Sequence, residues 1–139
     1  EVGTFDSPEK AYGVATAMMT ANPEMKGVFV AWDTPAQQVV AAAKTLGRDL
    51  IVTTNDLAQD SALNVARGEI LAIGAQQPYD QGVAEAKAAA YALLGKEVPP
   101  YISVPTLRVK KENLISALEQ ITKEPAPASV VELCNGECF

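Results

Sequence analysis

Histidine is missing altogether from this 139-residue chain. That removes the commonest general base, the Ser-His-Asp arrangement and most zinc sites. No run of apolar residues approaches the length that crosses a bilayer. Glycine-rich loops after strand-like runs are lacking too. The glycines sit where helical patterns stop, so a phosphate cradle for a nucleotide has no basis. Nothing sets a nucleophile against a base, and the clustered acids and strand-end lysine of a phosphoryl receiver are not found. The expectation is no catalytic residue, no metal site, no cofactor and no enzyme activity. Positive charge is scarce as well: the formal net charge is −6, which cannot neutralise a row of phosphates, so nucleic acid is not an expected partner. The charge reads as solubility. Cysteine is confined to Cys134 and Cys138, which flank the turn former Asn135-Gly136 and Glu137. A small disulfide loop suited to an oxidising compartment and a pair of free thiols both fit that spacing.

What is present is the material of one α/β domain. Hydrophobic residues make up 48% and charged residues 20%, with enough chain to bury a core. After a leading segment of residues 1–6, Ser7-Pro8-Glu9 opens a helix with a serine cap and a proline in its first turn. Ala11, Val14, Ala15 and Met18 repeat at helical spacing as far as Asn22-Pro23, and Met18 and Met19 read as packing residues. A strand over Met25–Ala31 leads to a helix from Pro35 to Leu46 that stops at Gly47. Leu50–Thr54 is a second strand, Ala58–Arg67 a helix closed by Gly68, and Ile70–Ala75 a third strand. Tyr79–Leu94 is an alanine-rich helix ending at Gly95. Gly82 within it points to close packing, because a mid-helix glycine costs about 1 kcal/mol against alanine. Tyr101–Val104 and Thr106–Val109 form a strand bent at Pro105, and Glu112–Thr122 is a last helix. Lys110-Lys111 reads as a solvated pair, and Pro125 and Pro127 mark a loose tail over residues 124–139. Short strands, apolar throughout and alternating with helices, predict an α/β fold: a parallel sheet with helices on both faces, three layers in all.

In an open parallel sheet the ligand crevice lies beyond the carboxyl ends of the strands. Those ends carry Trp32-Asp33, Asn55-Asp56 and Gln76-Gln77. An aromatic face, carboxylates and amides converging from neighbouring strands suit a neutral polyol. A sugar stacks its C–H face on the indole, the carboxylate and amide oxygens accept from hydroxyls, and the amide N–H donates back. The candidate ligand-binding residues are therefore Trp32, Asp33, Asn55, Asp56 and Gln76. Each has a plainer role open to it. Asp33 or Thr34 can cap the helix that follows, Asp56 can cap the next, a glutamine can satisfy a loop backbone, and Trp32 can fill a gap beneath the sheet.

The order of Asn22-Pro23-Glu24, Val28-Phe29-Val30-Ala31-Trp32-Asp33, Gly47-Arg48, Val52 to Asp56, Ala66-Arg67-Gly68, Ala75-Gln76-Gln77-Pro78-Tyr79, Gly82, Leu94-Gly95-Lys96 and Val109 to Asn113 carries a resemblance. It resembles the C-terminal half of the sugar-binding periplasmic proteins of bacterial ABC transporters, the ribose-binding type, with the type I periplasmic-binding-protein fold. The resemblance covers Ala11 to Leu118. It implies a monosaccharide or similar polar small molecule clamped between two lobes, contacted here by Trp32, Asp56 and Gln76, and delivered to a membrane permease when the lobes close. This chain departs from the family where Trp32-Asp33 replaces Asn-Asp, and where Thr54-Asn55-Asp56-Leu57 replaces a Gly-aromatic-Asp-Gly turn. At position 32 stacking would thus stand in for a hydrogen bond.

The resemblance also implies a fragment, with residues 1–123 as the C-terminal part of a sugar-binding protein whose N-terminal lobe is absent. A signal peptide would lie upstream, and the location would be periplasmic or extracellular. Helix 78–95 would belong to the opposite lobe. Its stripe of Val83, Ala86, Ala90 and Leu94 then calls for cover by the local sheet, by self-association or by the missing lobe. Two other classes share the fold: the effector-sensing domain of a lactose-repressor-like regulator, and the ligand-sensing ectodomain of a receptor.

Overall fold

Four apolar runs become the strands β1 (Gly27–Val30), β2 (Ile51–Asn55), β3 (Ala72–Ala75) and β4 (Leu107–Val109) of one sheet, in the order β1-β2-β3-β4. The computed structural model describes residues 2–138; Glu1 and Phe139, the outer ends of the leading segment and of the expected tail, lie outside the described residues. The helices are α1 (Ala11–Ala21), α2 (Asp33–Thr45), α3 (Gln59–Ala66), α4 (Pro78–Leu93), α5 (Leu114–Thr122) and α6 (Ala128–Cys134). A 3-10 turn at Pro8–Lys10 precedes α1, so the expected helix start at Ser7 is real as a turn, although Ser7 supplies no side-chain cap. A second 3-10 turn, Lys111–Asn113, leads into α5.

The first three strands are parallel, with Val30 beside Thr54 and Thr54 beside Ile73. β4 runs antiparallel to β3, Ile73 opposite Val109 and Ala75 opposite Leu107, which corrects the all-parallel expectation. An apolar run carries no record of its own direction, and the long excursion through α4 lets the chain return either way. Register places Val30, Val52, Thr54, Ile73, Ala75 and Val109 on one face, and all six are buried. Leu114, Ile115, Leu118 and Ile121 of α5 join the same core, as their helical spacing predicts, together with Met19 of α1. Each such side chain contributes roughly 1.5–3 kcal/mol by leaving water. The other face of the sheet carries Phe29, 63% exposed, and Ile51, 56% exposed, beside half-buried Thr53 and Ala72. The α/β fold is therefore present with its helical cover on one face. Among the described residues no comparable layer lies on the other.

Gly47, at φ 60, lets the chain turn out of α2. Arg48 then folds back and donates to the carbonyls of Met19, Pro23 and Met25, each at 2.9 Å. One guanidinium thus satisfies orphan carbonyls at and just beyond the end of α1.

Three other segments differ from expectation. The supposed loose tail holds α6, with Val130, Cys134 and Cys138 buried in the core. Pro127 is the N-cap residue of that helix, so the prolines open a helix as well as closing one. Cys134 and Cys138 form a disulfide, their Cα atoms 5.4 Å apart, closing over the turn at Asn135 and Gly136. The Cys138 carbonyl accepts from Ile115 N–H at 3.2 Å, and Lys111 pairs with Glu137 at 2.7 Å, so the closed loop sits on the start of α5. Lys110 pairs with Glu112 at 3.6 Å, and the two lysines are thus not simply solvated. Next, Tyr101–Val104 is not a strand: of the returning segment only Leu107–Val109 pairs with β3, and among the described residues no other strand offers Tyr101–Val104 a ladder. Finally, α4 buries no residue at all. A Cβ at Gly82 would meet nothing within 4 Å, so the close packing inferred there is absent. The local sheet leaves Val83, Ala86, Ala90 and Leu94 exposed.

Candidate functional site

Parallel strands deliver their carboxyl ends to one edge, and the antiparallel β4 brings its beginning to the same edge beside Ala75. That rim holds Trp32 and Asp33 after β1, Asn55 and Asp56 at the end of β2, and Gln76 and Gln77 after β3. Asp56 and Gln76 are brought together: the Gln76 amide donates from Nε2 to Asp56 Oδ1 at 2.6 Å. Gln81, in the first turns of α4, donates in turn to Gln76 Oε1 at 3.3 Å. Asp56 sits at φ 67, a left-handed conformation that aspartate tolerates better than most residues, while its N–H reaches Gly74 O at 3.3 Å. Among the described residues no donor reaches the second carboxylate oxygen.

Asn55 lies across the neighbouring strands. Its Nδ2 donates to Ala31 O at 3.3 Å, and its Oδ1 passes so near β3 that a Cβ at Gly74 would stand 2.7 Å from it. Glycine at 74 makes the room. Trp32 is 37% exposed, and its ring meets Phe5 at 5.5 Å between centroids with a 48° tilt. Phe5 was not singled out by the sequence patterns, because it falls in the leading segment where no periodicity marks it. Its one signal is an aromatic residue a few positions ahead of a helix start.

Asp33 turns away from the rim. It is buried, and its Oδ2 accepts from Ala58 N–H at 3.2 Å and lies 3.4 Å from the Ser61 hydroxyl. The capping role expected of Asp33 is thus spent on α3, 25 residues further along, and not on its own helix α2. Gln77 also turns inward, its amide shared between Pro105 O and Gln120. A groove of about 770 Å³ lies elsewhere, between α1 and the open edge of β1, lined by apolar residues such as Val14, Met18, Val28 and Phe29; Trp32, Asp56 and Gln76 do not line it. Among the described residues no cluster of three or more His, Cys, Asp or Glu could hold a metal ion, and no helix is long and apolar enough to cross a membrane.

The mostly parallel sheet thus carries a joined carboxylate and amide, Asp56 and Gln76, at its strand ends, with the Trp32 indole on a neighbouring strand end against Phe5. The chain belongs to the periplasmic binding protein domain family, whose model matches residues 1–97. No match was found among curated proteins. Solved structures similar to it include an ABC transporter periplasmic solute binding protein from Actinobacillus succinogenes with bound D-allose, at 27% identity and TM-score 0.74, covering 78% of this chain and 39% of that one. An ABC sugar transporter subunit from Rhodobacter sphaeroides is 28% identical with TM-score 0.66, covering 78% of this chain and 41% of that one. An ABC transporter solute binding protein from Agrobacterium vitis with bound D-fucose shares the fold at TM-score 0.76 and 24% identity, covering 86% and 44%. The fold is that of a partial type I periplasmic binding protein, and the chain spans 39% to 44% of the length of these three structures.

Proposed function

We propose that this chain binds a sugar or a closely similar polyol as part of a periplasmic solute-binding protein that serves an ABC-type permease. The observation that carries the reading is the Asp56–Gln76 pair at 2.6 Å on the strand ends that also present Trp32. Asp56 accepts from ring hydroxyls, Gln76 buttresses it, and the Trp32 indole, steadied by Phe5, takes the apolar C–H face. Asn55 reaches the same rim and adds an amide. Asp33 serves the lobe by holding α3 in place. Similar structures with bound D-allose and D-fucose support the ligand class.

In the intact protein helix 78–95 belongs to a second lobe, which supplies the other half of the clamp. Its lack of any buried residue supports this, as does a chain spanning two fifths of the similar structures. A ligand held from one side binds weakly, so the test uses the longer parent protein. Its melting temperature is followed against D-allose, D-fucose, D-arabinose and D-ribose. Sugar at 100 times its dissociation constant adds about 2.7 kcal/mol of stability. Trp32→Ala and Asp56→Asn are expected to abolish the shift while leaving the unliganded melt in place. A shift that survives both substitutions rejects the site, and the absence of any shift with every sugar rejects the ligand class.

A further inference from the structure

Gln77 is only 8% exposed, and both ends of its amide are used. Nε2 donates to Pro105 O at 2.8 Å, and Oε1 accepts from Gln120 Nε2 at 3.2 Å. Three pieces of chain are thereby tied at one point: the exit from β3 into α4, the segment returning to β4, and α5. Beside it Gln76 faces the opposite way, onto Asp56.

What holds α4 is concentrated in its first turns. Gln81 bonds Gln76, and Lys123 at the end of α5 lies 3.9 Å from Asp80 and 5.7 Å from the Tyr79 ring. The later turns face the return segment across a small cleft, lined by Ala84, Glu85 and Ala88 on one side and Pro99, Tyr101 and Ile102 on the other, and no residue of the helix is buried. Pro78 fixes its own φ and restricts Gln77 before it, so changes of helix direction fall chiefly on the backbone of Gln76.

We infer that Gln77 is a positioning residue: its buried amide staples the junction between sheet and α4, sets the angle at which that helix leaves, and so seats Gln76 against Asp56. The inference rests on reading residues 76–78 as the outgoing connection between two lobes of a sugar-binding protein. A buried amide with both partners satisfied resists rotation, because turning it strands a donor and an acceptor away from water. The relay Gln81–Gln76–Asp56 then passes any swing of α4 to the carboxylate at the rim.

The test measures distance distributions by pulsed electron spin resonance on the full chain, with its disulfide intact. Spin labels go on Leu93→Cys in α4 and Glu119→Cys in α5. A second pair, Ala41→Cys with Glu119→Cys, reports on the core alone. The unsubstituted junction is expected to give one narrow distance for each pair. Gln77→Met keeps the volume and removes both bonds; it should broaden the α4 distance and leave the core pair unchanged. Gln120→Met removes one of the same bonds from an exposed position and should broaden it in the same direction, which keeps the inference testable if Gln77→Met fails to fold. An α4 distance that stays narrow in the variants overturns the staple, as does broadening of both pairs together. The link to ligand is read separately, as the weakening of D-allose binding in the Gln77→Met parent protein. A broadened α4 distance with undiminished D-allose affinity overturns that link, whereas a parent protein that binds no sugar at all overturns the sugar reading and leaves the distances to judge the staple.

Discussion

The two faces of the sheet are built from the same four strands and end in opposite conditions. On one, Val52, Ile73 and Val109 are almost wholly withdrawn from water beneath the helices. On the other, Phe29 and Ile51 stand more than half exposed, beside Gly27 and Gly74. Residues of similar chemistry thus serve as a core on one side and an uncovered surface on the other. The contrast extends to the helices, since α5 buries five residues and α4 none. Apolar character decides what a segment is able to bury. What it does bury depends on which partners the chain places beside it.

Breaking that contrast calls first for substitutions on opposite faces. Ile73→Ala is expected to cost about 2–5 kcal/mol in urea unfolding, whereas Ile51→Ser should stay within about 0.5 kcal/mol of wild type. Equal losses would show both faces to be covered in solution. The next largest effect belongs to the disulfide, which fastens α6 and the start of α5 into the covered half. Melting in reductant should reveal a loss of about 2 kcal/mol for so short a loop. A third comparison sets two rim carboxylates against each other. Asp33→Ala removes one of two acceptors of the Ala58 N–H, Ser61 Oγ keeping the other at 3.0 Å, and should cost about 1 kcal/mol, while Asp56→Asn, at an exposed pair, should cost less than about 0.5 kcal/mol. If the two behave alike in chemical denaturation, the structural role given to Asp33 alone is wrong.

The smallest effect is a pH dependence at the closed C-terminal loop. The Lys111 hydrogen bond and charge hold the Glu137 carboxyl below the usual glutamate value of 4.5. Its folded pKa is thus lower than its unfolded one, so the pair stabilises above pH 4.5 and that contribution fades as the pH falls through the lowered native value. Comparing the melting temperatures of wild type and Glu137→Gln from neutral pH downwards should show a slight difference that closes in acid. The size is small because the group is fully exposed.

The order of strands and helices was readable in the sequence because each apolar run is closed by a terminator whose geometry is local, as Gly47, Gly68 and Gly95 show with their positive φ. The rim followed from the same order, since strand ends in register must share an edge. What escaped is non-local. The direction of β4 is set by the path of the chain and not by Leu107-Arg108-Val109 itself. Asp33 looks like a cap for the helix beside it, and its real client, Ala58 N–H, is brought near only by folding. Helix α6 is seven residues between prolines and a turn, too short for a periodic signal, and it is held by packing on α3 and by the disulfide. Phe5 became visible only when its ring met Trp32.

The central question is whether the rim, and not the uncovered sheet face or the groove along β1, receives a hydroxylated ligand. Titrating the isotopically labelled chain with D-allose and following backbone amide shifts tests this directly. The predicted result is a small, saturable set of shifts confined to Trp32, Asn55, Asp56, Gln76 and their neighbours, with Val28, Phe29 and Ile51 unmoved. Shifts centred on Met18, Val28 and Phe29, or none at the rim, would contradict it.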